Sequence, residues 1–139
     1  MSRVYWDSML FIYLFENNPR YADRASHIIN RIKDRGDVLC TGTLTLTEVL
    51  TGMYRRGHED DAARARQVFE RIEVLPFTVP IADTCARIRA RFGFSISDAI
   101  HLATAADART DVFVTNDNAL VGKSVPGVQF IVGIDTDLF

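Results

Sequence analysis

Cysteine, lysine and long apolar runs are scarce in this sequence of 139 residues. The two cysteines, Cys40 and Cys85, lie far apart and form no CxxC pair, which argues against a zinc site and predicts two small buried side chains. The apolar run at residues 9–15 is far too short to cross a bilayer, and it lacks the basic flank and cleavage site of a signal peptide. We therefore expect a cytosolic protein that does not associate with a membrane.

Among the 16 basic residues only Lys33 and Lys123 are lysines, and the net charge is −2. This charge does not indicate a nucleic-acid-binding protein. Arginine suits phosphate because of its planar fork, but codon bias in the source genome is the preferred explanation of the excess. No Walker A loop, GxGxxG or GxSxG motif is present, which removes support for P-loop, dinucleotide-binding and serine-hydrolase functions.

Strand and helix patterns alternate along the chain without a repeat or linker, so we expect one domain over residues 1–139. Short β-rich runs predict strands at residues 4–6, 37–41, 74–77, 111–115 and 128–132. Helical spacing of apolar residues predicts helices at residues 9–16, 43–56, 59–71, 81–92 and 97–109, and a helix from Asn18-Pro19 to Gly36. Strands separated by helices predict an α/β fold, a three-layer α/β/α sandwich with a central, mostly parallel sheet.

Four carboxylates fall where such sheets bind ligands, beyond the carboxyl ends of the strands at the point where strand order reverses. Asp7 directly follows the first strand and Asp117 the fourth, so they emerge side by side if those strands are neighbours. Glu48 and Asp98 lie near the starts of helices that can reach the same crevice. Each acid alone could be a helix cap, a capping-box partner or a turn residue. Independent caps would scatter over both ends of the sheet, so the gathering of all four favours a functional cluster.

Clustered carboxylates repel one another, and a divalent cation removes that cost. Hard oxygen ligands without a matching histidine or cysteine favour Mg²⁺ or Mn²⁺ over zinc. In a two-metal site the ions lie roughly 3.5–4 Å apart around a scissile phosphate, activate water and stabilise the leaving oxygen, so no nucleophilic side chain is needed. His101 lies one helical turn after Asp98, but a packed helical histidine is more common than a ligand at such a position.

The segments around the four acids resemble the four motifs of PIN-domain nucleases. These segments are Val4-Tyr5-Trp6-Asp7-Ser8, Thr47-Glu48-Val49, Ser97-Asp98-Ala99-Ile100 and Val114-Thr115-Asn116-Asp117. Their order, their spacing and the chain length are most similar to the VapC-type toxins of type II toxin–antitoxin pairs. By that resemblance the catalytic metal ligands are Asp7, Glu48, Asp98 and Asp117. The supporting residues are Ser8, Thr115 and Asn116, the last of which supports Asp117.

The resemblance also implies an activity and partners. The activity is that of a Mg²⁺- or Mn²⁺-dependent endoribonuclease that hydrolyses RNA phosphodiester bonds, and the partners are an RNA substrate, a cognate antitoxin protein and a second copy of the chain. A homodimer is indicated independently by the helices predicted over residues 43–71. These helices carry more apolar side chains than are needed to cover one face of a small sheet. These include Leu50, Met53, Tyr54 and Phe69.

Two other functions fit parts of the pattern. A PIN-like fold with a degraded site would be an inactive RNA-binding or partner-binding module, although all four acids are present. A phospho-acceptor receiver domain also clusters acids at strand ends, but it needs an acidic pair after the first strand and a lysine at the end of a late strand. The sequence lacks both features, because Asp7 has no acidic neighbour and Lys123 follows a turn and not a strand. Metal-dependent cleavage of RNA separates the nuclease from the binding module.

Overall fold

The computed structural model describes all 139 residues and confirms the alternation of strands and helices. The strands are β1 (Arg3–Trp6), β2 (Val38–Gly42), β3 (Glu73–Leu75), β4 (Val112–Thr115) and β5 (Phe130–Gly133). The helices are α1 (Ser8–Phe15), α2 (Ala22–Arg35), α3 (Thr43–Arg55), α4 (Glu59–Phe69), α5 (Val79–Phe92) and α6 (Ile96–Asp107). None of these helices has both the length and the apolar character needed to span a lipid bilayer.

The second helix begins at Ala22 and not at Pro19 as predicted. The Asn18 side chain does accept backbone N–H groups, from Arg20 at 2.9 Å and from Tyr21 at 3.0 Å, but these hydrogen bonds close a turn that precedes the helix. Asparagine makes the same kind of hydrogen bond as a helix cap and in an Asx-turn. The local sequence therefore does not distinguish the two, and the predicted start is early.

The five strands form one sheet in the order β3-β2-β1-β4-β5, and every neighbouring pair is parallel. Parallel neighbours require crossover connections, which the helices provide on both faces, and this gives the predicted three-layer sandwich. From β1 the chain first adds β2 and β3 on one side and later adds β4 and β5 on the other. The strand order therefore reverses between β1 and β4, and the crevice beyond their carboxyl ends is the expected ligand site.

Side chains of β1 alternate between the two faces of the sheet. Val4 and Trp6 pack in the core formed with α1 to α4, whereas Tyr5 packs in the core formed with α5 and α6. A strand covered on both faces has to be apolar throughout, which explains why these three residues show no polar alternation. Both cysteines, Cys40 and Cys85, are buried and unpaired, as the sequence predicts.

Gly127 lies so close to the last turn of α6 that a side chain does not fit. Its φ is +95°, and an added Cβ would lie 2.6 Å from the carbonyl oxygen of Ala106. Gly36 has a similar left-handed conformation, with φ of +71°, but its added Cβ would meet nothing within 4 Å. We expect Gly127→Ala to lower the free energy of unfolding by about 2–4 kcal/mol and Gly36→Ala by about 1 kcal/mol, as measured by urea denaturation. Equal losses would contradict the role assigned to the Ala106 contact.

Candidate active site

Asp7 lies where β1 ends and α1 begins, and hydrogen bonds hold both oxygens of its carboxylate. Oδ1 accepts the backbone N–H of Met9 at 3.1 Å, and Oδ2 accepts the hydroxyl of Thr115 at 2.6 Å. Strands β1 and β4 are neighbours, with Trp6 opposite Val114. The carboxyl ends of the two strands therefore lie side by side, which is the condition under which Asp7 and Asp117 emerge next to each other. Asp7 is only 5% exposed and is fixed in one orientation.

The charge on Asp7 is poorly compensated by the protein itself. Burial raises the pKa of its carboxyl to about 6, although the hydrogen bond from Thr115 lowers it. His101 also lowers this pKa, and the charge on Asp98 raises it. A buried carboxylate in this condition is stabilised by a nearby positive charge.

Glu48 lies in the second turn of α3, and three side chains contact its carboxylate. Nε2 of His101 lies 2.9 Å from Oε1, and the hydroxyl of Ser97 donates to Oε2 at 3.2 Å. Ser8, predicted as a polar neighbour of the site, lies beside this carboxylate and lowers its pKa. The hydrogen bond from His101 is the largest influence that lowers the pKa of Glu48, and burial opposes it. The Glu48 side chain is 32% exposed, so the oriented carboxylate is partly accessible to solvent.

Asp98, in the first turn of α6, and Asp117, two residues after β4, bring two carboxyl groups into contact. Burial raises the pKa of Asp98, and its hydrogen bond and charge repulsion with Asp117 raise it further. Asp117 is held by its own turn, because its backbone N–H donates to the hydroxyl of Thr115 at 3.0 Å and its Oδ1 accepts the N–H of Ala119 at 2.9 Å. When both carboxyls are ionised they repel each other, and a cation would relieve that repulsion.

Helix capping, the alternative explanation for some of the acids, applies to Asp7 and Asp98 but not to Glu48. Asp7 is indeed the N-cap of α1, and Asp98 follows a serine N-cap whose hydroxyl accepts its N–H. Glu48 is not part of a capping box, because Gly42 caps α3 and Thr45 lies within the helix as a buried residue. Capping therefore does not account for Glu48, and for Asp7 it accounts for only one of the two carboxylate oxygens.

Thr115 and Asn116 support the site differently from each other. Thr115 is fully buried and joins two acids, since it donates its hydroxyl to Asp7 and accepts the N–H of Asp117. The side chain of Asn116 donates to the hydroxyl of Tyr13 at 2.9 Å. Its observed contact is therefore with α1, and any support that it gives to Asp117 acts through the backbone.

His101 is packed, as the sequence analysis favours, but its contact with Glu48 is not predicted. The residue is 2% exposed and lies between the hydroxyl of Tyr5, 2.8 Å from Nδ1, and the carboxylate of Glu48. A spacing of three residues places His101 on the same face of α6 as Asp98. That spacing is the sequence signal that places His101 beside the acids, whereas its partner on α3 is too distant in sequence to be identified.

The sheet edge gathers all four predicted acids, but it does not form a finished metal centre. No group of three or more Asp, Glu, His or Cys side chains is placed to hold a metal ion as the side chains stand. What fits a divalent cation is the chemistry of the donors: a buried carboxyl, a carboxyl pair in contact and an oriented glutamate, all with hard oxygen atoms.

Comparison with known proteins gives matches over most of the chain. Residues 4–123 match the sequence model of the PIN domain. Ribonuclease VapC47 of Mycobacterium tuberculosis is 28% identical over 120 residues, which cover 85% of this chain and 87% of that protein. The VapBC2 structure from Rickettsia felis, bound to a DNA fragment from its promoter, superposes with a TM-score of 0.76 at 13% identity, covering 94% of this chain and 98% of that chain. The structure of DNA-bound VapBC from Salmonella typhimurium superposes with a TM-score of 0.73 at 24% identity, covering 96% of this chain and 99% of that chain.

Proposed function

This chain belongs to the PIN-domain family, and from that premise we propose that it is a metal-dependent endoribonuclease that acts as the toxin of a toxin–antitoxin pair. The proposal rests on the convergence of four carboxylates where the strand order reverses. Similarity to ribonuclease VapC47 supports RNA as the substrate, and similarity to chains of VapBC complexes supports an antitoxin partner. Because the substrate of this protein would be cellular RNA, we propose that it acts in the cytoplasm. Cleavage of RNA that stops when divalent metal is removed tests this function.

The proposed ligands of Mg²⁺ or Mn²⁺ are Asp7, Glu48, Asp98 and Asp117. When bound, the metal would supply a water of lowered pKa and would neutralise charge on the scissile phosphate. The chain itself holds the ligands: Thr115 orients Asp7 and the turn that carries Asp117, and His101 orients Glu48. The reversal of strand order provides the crevice in which an RNA backbone would lie across them. No side-chain nucleophile is required in this proposal.

The apolar residues that suggest an interface in the sequence are mostly core residues in the structure. Met53 and Phe69 are 5% and 3% exposed and belong to the core under α1 to α4, and Leu50 packs against it. Of this set only Tyr54 is substantially exposed, at 44%. The apolar excess on α3 and α4 is therefore explained by two helices that pack together over the sheet, and it does not support a dimer.

We nevertheless propose a homodimer, on different residues. Phe77 and Ile96 line one apolar groove and are 43% and 54% exposed, and Val79 is 86% exposed at the start of α5. Exposed apolar patches of this kind mark interfaces. Light scattering at micromolar concentration is expected to give the mass of two chains, and Phe77→Glu is expected to give the mass of one. Leu138→Glu, at an exposed apolar position in the C-terminal segment, serves as the control. A single-chain mass for the wild type would contradict the dimer.

A further inference from the structure

A buried chain of hydrogen bonds connects the core of the sheet to Glu48. It starts at the hydroxyl of Tyr5, which lies 2.8 Å from Nδ1 of His101, and continues from Nε2 of His101 to Oε1 of Glu48 over 2.9 Å. Tyr5 is 0% exposed and His101 is 2% exposed, so their contact is shielded from solvent, whereas the contact between His101 and Glu48 is partly buried. The two residues belong to different elements, β1 and α6, and the carboxylate that they reach belongs to a third, α3.

The direction of the protons follows from the partners. Burial raises the pKa of the Tyr5 hydroxyl, so this group keeps its proton and is available to donate it to Nδ1 of His101, 2.8 Å away. The ring proton of His101 is then on Nε2, from which it is donated to Glu48. The other tautomer would turn a nitrogen lone pair toward a carboxylate oxygen, which repels it. In this arrangement the Tyr5 hydroxyl and both ring nitrogens of His101 are hydrogen-bonded.

The residues around the Tyr5 hydroxyl are closely packed against it. Gly42 ends β2 beside the tyrosine, and a Cβ at that position would lie 2.8 Å from the Tyr5 hydroxyl oxygen. Neighbouring positions on the buried face of α6 are filled by apolar residues such as Leu102 and Ala105, so burial alone does not call for a histidine. A polar side chain buried among apolar ones is destabilising unless it is hydrogen-bonded, which indicates that the contact with Glu48 is the reason for His101.

We propose that His101, held in its tautomer by Tyr5, is a positioning residue that fixes the Glu48 carboxylate for binding the divalent metal. The proposal rests on the proposed function, because it assigns Glu48 as a metal ligand. The buried ring of His101 holds Oε1 of Glu48, the Ser97 hydroxyl donates to Oε2, and the partly exposed carboxylate has further lone pairs for the metal. His101 acts through Glu48 and does not itself touch the metal or the RNA.

Binding of Mn²⁺ to the whole chain without RNA tests this role, with the free ion counted by electron paramagnetic resonance. His101→Leu is expected to weaken Mn²⁺ binding by roughly 10- to 100-fold, the usual effect of losing an outer-shell partner of a metal ligand. His101→Gln keeps an N–H donor and is expected to restore most of the affinity. Tyr5→Phe leaves the shape of the core unchanged and is expected to weaken binding by roughly 2- to 10-fold, the effect of one lost hydrogen bond.

A matched control separates positioning from general destabilisation. Thr110 is buried at the far end of α6, where its hydroxyl donates to the carbonyl of Ala105 at 2.7 Å. Thr110→Val therefore removes one buried hydroxyl, as Tyr5→Phe does, and is expected to leave Mn²⁺ affinity unchanged. In the metal-free wild type, the ring ¹⁵N resonances of His101 are expected to report the Nε2–H tautomer. The opposite tautomer would overturn the proposal.

The remaining outcomes distinguish this inference from the proposed function. If Asp7→Asn weakens Mn²⁺ binding but His101→Leu and Tyr5→Phe do not, the positioning role is wrong and the nuclease site stands. If His101→Leu is as damaging in a Glu48→Ala background as in the wild type, His101 does not act through Glu48 and the proposal is also wrong. If the wild type binds no Mn²⁺, both the inference and the proposed metal site are overturned.

Discussion

Asp7→Asn is expected to lower the rate of RNA cleavage by more than about 100-fold while the fold remains intact. Substitution of an outer-shell partner alone costs roughly 10- to 100-fold, and this change removes a charge from a proposed ligand itself. Asparagine caps helices as well as aspartate does, so the hydrogen bond from Met9 that starts α1 is retained. The hydrogen bond from the Thr115 hydroxyl to Oδ2 is lost, so the loss of activity should far exceed a small loss of stability. Asp98→Asn and Asp117→Asn are expected to be similarly damaging.

The measurement is cleavage of a structured RNA with Mg²⁺, with Mn²⁺ and with EDTA. Asp37→Asn is the matched control, because its half-buried carboxylate accepts the backbone N–H of Ser2 at 2.9 Å at the opposite edge of the sheet. That variant is expected to cleave like the wild type. Cleavage that persists in EDTA, or that survives Asp7→Asn, would contradict the metal mechanism. A wild type that binds RNA but does not cleave it would favour the inactive binding module.

The position of the candidate site could be predicted because it follows from local properties of the sequence. Asp7 and Asp117 come after short apolar runs that are typical of buried strands, and parallel strands place their carboxyl ends at one edge. The neighbouring arrangement of β1 and β4 is the one long-range condition, and the structure fulfils it. The alternation of strands and helices determines the three layers, so the fold class and the edge that carries the acids are both available from the sequence.

Features that depend on tertiary packing could not be predicted. The contact between His101 and Glu48 joins residues 53 positions apart on two helices, and no local pattern encodes how α3 lies against α6. The burial of Met53 and Phe69 could not be predicted for the same reason. The number of apolar residues on a helix does not show whether its apolar face packs in the core of the same chain or against a second chain. The orientation of the carboxylates is likewise a matter of side-chain packing.

Growth of a bacterial host is expected to stop when the wild-type chain is made alone, and to continue when Asp7→Asn is made at the same level. Asp117 is exposed and the Glu48 side chain is 32% exposed, so these two acids are accessible to cellular RNA. Unregulated cleavage of RNA would stop translation and hence growth. Inducible expression with growth curves and immunoblots measures the effect at matched protein levels.

Co-expression of the adjacent gene is expected to restore growth, because an antitoxin that covers the acids would block access of RNA. A basic side chain laid over Asp98 and Asp117 would relieve their repulsion, which gives such a partner a charge-assisted contact of the stronger kind. Equal slowing by the wild type and by Asp7→Asn would mean that toxicity does not come from the nuclease site. If the wild type does not slow growth even in its native organism, the toxin role is contradicted, whereas RNA cleavage by the purified chain would still support a ribonuclease with another cellular task.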